Sequence, residues 1–407
     1  MESKMEAVYN KSLSAIVLVG FVSFSLLAVR TRPFSPLPVY GAIAFAVIMF
    51  TAHFLTGHIL NGQDASLFIL ACFITELGLI ILYRINPEIF LKQITWFAAG
   101  ALLFIFSSIV VKYWIKVNLA PVFFYLATAA LLLAPLLFGV EKGGSRSWIR
   151  IGDFTFQPSE LAKITFVLFL AGVLKEGKIK NLPWFSAQIL TVAGLLVLSR
   201  DLGGALLFYL TALVLVFAAT SRWDLTALGL IMLGITGIAG YYVFGHVRIR
   251  VEAWLNPWQD VPGKGYQIVQ SLFAIAQGGF FGTGLGLGHP EYIPAVATDF
   301  IFSAFSEEMG FLGAAAVIIL YFLLVYRGIK ISLSSKDEFL AMVALGITAL
   351  FGLQIFTIIG GVIKLIPMTG VTLPFMSYGG SSMLMSFISL GILNGIKLRE
   401  GSEEAGE

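Results

Sequence analysis

Twelve long apolar segments constrain this chain more than any other feature of its sequence. Hydrophobic residues make up 58% of its 407 residues and charged residues only 12%, whereas soluble domains average roughly 25% charged residues. A helix needs about 20 apolar residues to cross a bilayer, and lipid cannot satisfy unpaired backbone groups. We therefore predict an all-α polytopic membrane protein with spans near residues 12–29, 37–58, 64–83, 93–111, 119–140, 158–175, 184–199, 202–219, 225–245, 299–326, 338–363 and 372–396.

Several classes of protein are disfavoured by composition. The first apolar segment has no small-residue cleavage signal and runs into Arg30, Thr31 and Arg32, which indicates a retained anchor. The lone Cys72 lies within a predicted span, so we expect neither a disulfide framework nor a cysteine metal site. The net charge of +3 is too small to indicate nucleic-acid binding.

The two predicted faces differ in the kind of basic residue that they carry. An even number of spans puts both termini on one side, and with cytoplasmic termini the two sides hold thirteen and twelve Lys and Arg, with Lys163 inside a span. Lysine dominates the cytoplasmic set. The outer set is mostly arginine, whose planar fork binds phosphate oxygens in pairs; ordinary snorkelling at the interface is the alternative. The outer arginines are Arg30, Arg32, Arg84, Arg146, Arg150, Arg200, Arg248 and Arg250.

Residues 141–163 combine a short extended run with the start of a helix. Residues 146–152 alternate, and Pro158 stands where a helix can begin because its missing N–H would be unpaired there. Glu160 falls in the first turn, where the helix dipole favours a carboxylate, and Lys163 follows on the same face. The pair is interpreted either as a local Glu160–Lys163 contact or as part of a phosphate site at the helix start.

Residues 254–288 contain a predicted interfacial or re-entrant helix from Tyr266 to Gln277. Gln267, Gln270 and Gln277 fall within one narrow arc of this helix, and its other faces are apolar. The glutamines could bind sugar hydroxyl groups or satisfy neighbouring backbone groups. The alternating glycines at 282–288 lack the strand and the Gly-Lys-Ser/Thr of a nucleotide loop, so a tight, flexible return to the next span is favoured.

Asp299 stands at the entrance to the next predicted span. Ionisable groups at membrane depth are functional candidates, and an acid at this edge can be partly desolvated while it meets a polar substrate. Helical spacing puts Asp299, Ser303 and Glu307 on one side and Glu308 on the other. We interpret both glutamates as buried partners of lysine or of backbone donors.

Residues 366–382 interrupt the last apolar region with prolines, glycines and hydroxyl groups. Such breaks at membrane depth are tolerated where protein or a cavity covers the backbone. For Gly379, Gly380 and Ser381, close helix packing is the favoured role.

Four motifs in consistent order make the chain similar to the SEDS family (shape, elongation, division and sporulation), which includes RodA, FtsW and SpoVE. Ser147, Ser199 with Arg200, and Ala295 with Ala297 depart from residues usual in that family. The matching positions are Gly144, Trp148, Ile149, Gly152, Gln157, Pro158, Ser159, Glu160 and Lys163; Gly263, Gly265, Tyr266, Gln267, Gln270, Ser271 and Leu272; residues 298–302 with Glu307, Glu308 and Gly310; and residues 373–382.

The resemblance implies a ten-helix core at residues 64–398. It would follow a two-helix extension at 1–63, contain an extracytoplasmic loop at about 246–298, and precede a short cytoplasmic tail at 399–407. It also implies a multi-pass protein of the bacterial plasma membrane with both termini cytoplasmic, which polymerises lipid II at the outer face. A class B penicillin-binding protein is the implied partner, together with other elongasome or divisome membrane proteins.

The resemblance further implies that Asp299 is catalytic, and we hypothesise that it is the general base. One base can suffice because the diphosphate leaving group needs its charge met rather than a proton. A divalent cation, Mg²⁺ or Mn²⁺, is kept as a candidate cofactor. The candidate substrate-binding residues are Arg146, Trp148, Arg150, Gln157, Glu160, Lys163, Arg200, Tyr266, Gln267 and Gln270.

Two other functions remain as alternatives. A lipid flippase would use the same residues to guide a diphosphate head group, but it predicts ionisable groups spread through the midplane of several spans. A non-catalytic scaffold for a penicillin-binding protein would not depend on Asp299.

Overall fold

The computed structural model describes residues 2–31, 33–60, 65–114, 120–142, 144–152, 154–177, 179 and 181–404. Fourteen α-helices lie within these residues. They are α1 (Glu2–Arg30), α2 (Leu37–Leu60), α3 (Ser66–Ile85), α4 (Pro87–Ile109), α5 (Pro121–Phe138), α6 (Pro158–Leu174), α7 (Leu182–Leu198), α8 (Leu202–Thr220), α9 (Trp223–Val243), α10 (Gly245–Leu255), α11 (Tyr266–Gly278), α12 (Ile301–Ser334), α13 (Glu338–Val362) and α14 (Gly380–Glu404).

The prediction of an all-α polytopic membrane protein is confirmed. Each of the twelve predicted spans coincides with a helix, and ten of these helices in the described part of the chain are long and apolar enough to cross a membrane. The other two, α6 and α7, have 17 residues each. Asp201 separates α7 from α8 because its Oδ1 atom accepts a hydrogen bond from the N–H of Gly204, 2.8 Å away, and so caps α8.

The predicted core has one boundary between residues 63 and 64 and another between residues 398 and 399. The boundary between residues 63 and 64 lies outside the described residues, as does Arg32. At the other end, α14 continues to Glu404, so most of the predicted tail extends the last helix.

The chain forms two compact units, each with its own aromatic core. The first unit comprises residues 1–110, 250–324 and 355–398, and Phe387 packs there against Phe97 and Phe375, with ring centroids 5.6 and 5.2 Å away. The second comprises residues 111–249, 325–354 and 399–407, and its core includes Phe166 and Phe208, whose centroids are 5.0 Å apart. The predicted two-helix extension belongs to the first unit, where α1 and α2 pack on α3 and α4.

A small antiparallel sheet in the second unit confirms the extended run predicted before Pro158. Its strands β1 (Val140–Lys142), β2 (Ser145–Ile151) and β3 (Phe154–Phe156) are neighbours in chain order. Ile149 of β2 pairs with Phe156 of β3. The sheet therefore places Arg146, Trp148 and Arg150 on one strand.

α12 is broken at Gly310, whose φ of 66° lies in the left-handed region that favours glycine. The break frees the carbonyl groups of Glu307 and Glu308, which would otherwise accept bonds within the helix. They accept hydrogen bonds from the N–H groups of Thr283 and Gly284 instead, at 2.9 and 3.0 Å. Near a membrane this pairing matters, because an unpaired backbone group costs several kcal/mol in lipid.

The second half of α12 is paired with the same loop. The N–H groups of Phe311 and Leu312 donate to the carbonyl groups of Gly279 and Phe280, at 2.9 and 3.3 Å. The glycine-rich loop, which we define as Gly279–Gly288, thus supplies the partners that the broken helix lacks. Gly282 allows this close backbone contact, because a Cβ atom there would lie 2.1 Å from the carbonyl oxygen of Glu308. The sequence had predicted a tight, flexible return at this loop.

Replacing Gly310 by alanine should destabilise the protein. A Cβ atom there would lie 2.2 Å from the backbone N of Gly282, and the positive φ adds strain of about 1–3 kcal/mol. We expect a lower unfolding temperature of Gly310→Ala in detergent. The control is Gly352→Ala in α13, where the nearest atoms are Val325 methyl groups at 3.8 Å. Equal unfolding temperatures of the two variants would contradict the role given to Gly310.

Candidate active site

Asp299 lies in a tight turn just before α12. The carbonyl group of Ala295 accepts hydrogen bonds from the N–H groups of Thr298 and Asp299, at 3.1 and 3.0 Å. Ala295 itself has a φ of 53°. α12 begins at Ile301, so the prediction that Asp299 shares a helix face with Ser303 is wrong. The turn leaves the Asp299 side chain partly buried, at the entrance to the span.

The turn that contains Asp299 is held by residues 366–382, the segment that interrupts the last apolar region. The Oγ atom of Ser377 donates to the carbonyl of Thr298 at 2.5 Å, and the N–H of Tyr378 donates to the carbonyl of Ala297 at 2.8 Å. The Nε2 atom of Gln93 in α4 donates to the carbonyl of Ser377 at 3.0 Å. These hydrogen bonds to the backbone of the turn therefore fix the position of Asp299.

Close packing is confirmed for Gly380, whereas a Cβ atom on Gly379 would meet only Ser382 and Thr372 at 3.5 and 3.7 Å. A Cβ atom on Gly380 would lie 2.5 Å from the ring of Trp96. The small residue lets α14 begin directly against α4, as expected for helix packing in membranes.

Arg250 of α10 lies beside Asp299. Its Nη1 atom donates to the carbonyl of Thr369 at 3.0 Å. A Cβ atom on Gly370 would lie 3.3 Å from Arg250 Nη2 and 3.7 Å from Asp299 Oδ2, so the two charged groups flank one glycine. Sequence reasoning included Arg250 among the outer arginines but not among the site residues. Nothing in the sequence linked it to Asp299, because the two positions are far apart in the chain.

Opposing effects act on the pKa of Asp299. Desolvation by burial is the largest and raises the pKa, while the hydrogen bond from Thr298 and the positive charge of Arg250 lower it. The net result is a raised pKa. A carboxylate with a raised pKa is a stronger base than an ordinary aspartate, which suits general-base catalysis.

α11 confirms the helix predicted from Tyr266 to Gln277. Gln267 and Gln277 are exposed, Gln270 and Tyr266 are partly buried, and the opposite face is buried. Ser271 on that face lies 2.8 Å from the Oγ atom of Ser303 in α12. The glutamine stripe thus lies on the face of α11 opposite the one that contacts α12 through Ser303.

Glu307 and Glu308 both contact the glycine-rich loop and its next residue. Glu308 Oε2 accepts from the N–H of Gly286 at 2.9 Å, and Glu307 Oε1 accepts from the N–H of His289 at 3.0 Å. Arg84 of α3 lies 3.5 Å from Glu308. The interpretation of Glu307 and Glu308 as partners of backbone donors is confirmed. The prediction that Glu308 points away from Glu307 is wrong, because both side chains reach the same stretch of chain.

Glu160 and Lys163 form a buried pair in the second unit. Lys163 Nζ lies 2.8 Å from Glu160 Oε1 and also donates to Gln354 Oε1 at 3.1 Å. The predicted local contact is therefore confirmed. Gln354 of α13 was missed, because no sequence signal relates residues 191 positions apart.

The predicted arginines of the second unit are exposed. The backbone N–H of Arg146 donates to the carbonyl of Ser199 at 2.9 Å, which joins β2 to the turn containing Arg200. Arg200 lies 3.7 Å from Glu141, but both side chains are mostly exposed and the pair contributes little stability. Trp148 and Gln157 are partly buried.

The predicted site residues divide between the two units. Asp299, Tyr266, Gln267 and Gln270 belong to the first unit, with Arg250. Arg146, Trp148, Arg150, Gln157, Glu160, Lys163 and Arg200 belong to the second. Among the described residues, no three His, Cys, Asp or Glu side chains gather into a metal site.

These features define a polytopic membrane protein with a desolvated carboxylate beside an arginine at the end of a span. Residues 64–401 match the sequence profile of the FtsW, RodA and SpoVE family, described as cell cycle protein. The chain belongs to this family.

Known relatives resemble the chain over most of its length. Peptidoglycan glycosyltransferase RodA of Mycobacterium tuberculosis strain H37Rv is 36% identical over 424 residues, 94% of this chain and 89% of the relative. Stage V sporulation protein E of Bacillus subtilis is 36% identical and covers 82% of this chain and 96% of its own. A solved peptidoglycan synthase complex, described as coordinating polymerisation and crosslinking, matches with a TM-score of 0.70 and 29% identity, over 83% of this chain and 98% of that one.

Loss of Lys163 should destabilise the protein more than loss of the whole buried pair. Lys163→Met leaves the Glu160 carboxylate buried without its partner, which costs about 3–5 kcal/mol. The double variant with Glu160→Gln removes that charge and should recover much of the unfolding temperature. An equal unfolding temperature for single and double variants would show that the pair is not coupled.

Proposed function

We propose that this protein is a peptidoglycan glycosyltransferase that polymerises lipid II at the outer face of the bacterial plasma membrane. The observation that carries the proposal is the setting of Asp299, a partly buried carboxylate beside Arg250 just outside a span. The named activity of RodA relatives supports the same reaction.

In the proposed reaction, Asp299 removes the proton from the 4-hydroxyl group of the acceptor GlcNAc. The freed oxygen attacks the anomeric carbon of the donor MurNAc, and the bond from that carbon to undecaprenyl diphosphate breaks. Glycosidases need a second carboxyl group to protonate their leaving group. A diphosphate leaves as an anion, so cations can replace that acid.

Arg250 has two effects in this proposal. Its charge lowers the pKa of Asp299 and so opposes the desolvation that raises it. Its guanidinium group is also anchored on the carbonyl of Thr369, so its position is fixed before the substrate arrives. The exposed Arg146, Arg150 and Arg200 are proposed to meet phosphate charge, and Tyr266, Gln267 and Gln270 to bind the substrate.

The remaining parts of the proposal concern cofactor, partner and orientation. Mg²⁺ usually binds through one or two carboxylates and the phosphates of a substrate, so a bound cation would add to the charge compensation at the diphosphate. A class B penicillin-binding protein is the proposed partner, since a similar structure is a synthase complex with crosslinking activity. Both termini are proposed to be cytoplasmic, which puts the arginine-rich face outside.

Asp299→Asn should abolish glycan synthesis without unfolding the protein. Loss of a general base typically lowers the rate about 10²–10⁴-fold, and removal of a desolvated charge should leave the unfolding temperature equal or higher. The measurement is polymerisation of labelled lipid II by purified protein, with and without a class B penicillin-binding protein.

The control for this variant is Glu291→Gln, which changes an exposed carboxyl group in the loop before Asp299. It should keep wild-type activity. Normal strand synthesis by Asp299→Asn would remove Asp299 from the catalytic role, and an inactive wild type that still supports a partner's activity would favour the scaffold. Movement of lipid II across vesicles without polymerisation would favour the flippase.

Arg250→Gln should shift the acid limb of the pH profile of kcat/KM to higher pH. The Arg250 charge lowers the pKa of Asp299, so its loss raises that pKa further. Fewer Asp299 side chains are then ionised at a given acidic pH. Arg250→Lys should restore most of the profile, and Arg248→Gln, on the same helix, is the control.

A shift of the acid limb to lower pH, or the same shift in Arg248→Gln, would contradict this assignment.

A further inference from the structure

The end of α1 contacts the glycine-rich loop. Arg30, the last residue of α1, donates a hydrogen bond from Nη1 to the carbonyl group of Leu285. A Cβ atom on Gly286 would lie 3.4 Å from Arg30 Cδ and 3.5 Å from Leu27 Cδ2. Gly286 has a φ of 75°. The loop backbone therefore lies directly on the last turn of α1.

Two further helices hold the same stretch of loop. Glu308 of α12 accepts from the N–H of Gly286 at 2.9 Å. Arg84 of α3 donates to the carbonyl of Gly288 at 3.0 Å. Side chains from α1, α3 and α12 thus hold three residues of the loop, Leu285, Gly286 and Gly288, through their backbone. In this arrangement Arg30 is the residue through which α1 donates a hydrogen bond to the loop.

The loop is mechanically connected to Asp299. Its first half supplies the hydrogen-bond partners at the break of α12, on both sides of Gly310. Between that break and the Asp299 turn lies one short helical segment, residues 301–309. A displacement of the loop would move this segment, and with it the turn. Misplacement of a reacting group by about 1 Å can lower a rate about 10²-fold.

We propose that Arg30 is a positioning residue for the polymerisation reaction, and that the N-terminal helices are thereby part of the catalytic assembly. This inference rests on the proposed function. It concerns a residue outside the 64–401 region that the family profile matches. Arg30 acts through the loop and does not touch the substrate.

The test compares two substitutions of similar length in the full-length protein. Arg30→Met keeps the aliphatic stem but removes the donors, whereas Arg30→Lys keeps a donor. Arg30→Met should lower kcat about 10- to 100-fold with little change in KM for lipid II and in unfolding temperature. Arg30→Lys should recover most of kcat. The control is Val29→Ala, which alters a lipid-exposed neighbour on α1.

Hydrogen exchange gives a second readout that does not depend on activity. In Arg30→Met the amide groups of residues 284–289 and 301–309 should exchange faster than in the wild type, while those of α14 should not change.

An active Arg30→Met with unchanged exchange would overturn the inference and leave the proposed function intact. Equal losses in Arg30→Met and Arg30→Lys, accompanied by a lower unfolding temperature, would also overturn it, because they indicate a purely structural role. A wild type that makes no glycan would refute the proposed function itself, and the positioning role would fall with it.

Discussion

The pairing of backbone groups at the break in α12 is the interaction on which the first unit depends. A helix that enters a membrane cannot leave carbonyl and N–H groups unpaired, yet Gly310 interrupts the ladder of α12. The glycine-rich loop restores the pairing on both sides. These hydrogen bonds connect the loop, the first segment of α12 and the Asp299 turn into one structure. Asp299, the proposed general base, gains a rigid support in this way.

The setting of Asp299 reflects a balance between solvation and charge. A fully solvated aspartate is a weak base, and a fully desolvated one would stay protonated and could accept no proton. Burial raises the pKa of Asp299, and Arg250 limits the rise. Glu160 in the second unit has a different environment, since a lysine at 2.8 Å compensates its charge directly. The surroundings of Asp299 therefore suit proton transfer, whereas those of Glu160 suit a structural ion pair.

The sequence predicted those features that depend on local patterns. Apolar segments located the helices, and three-residue spacing located the Glu160–Lys163 pair. Contacts between distant segments could not be predicted, which is why Arg250 and Gln354 were missed. The direction of Glu308 was wrong because helical periodicity does not anticipate a loop that folds over two adjacent residues. Local rules thus recovered the elements and the Glu160–Lys163 contact, but not the hydrogen-bond network between distant segments.

The N-terminal helices are integral to the first unit for a reason independent of Arg30. Glu76 of α3 is only 1% exposed, and a Cβ atom on Gly20 of α1 would lie 2.0 Å from its Oε1 atom. Without α1 this carboxyl group would face hydrocarbon, at a cost of several kcal/mol. The alignment with mycobacterial RodA covers 94% of the chain and so includes most of these first 63 residues. A carboxyl group enclosed between helices also lacks the contact with water that a transport pathway requires, which favours a packing role for Glu76.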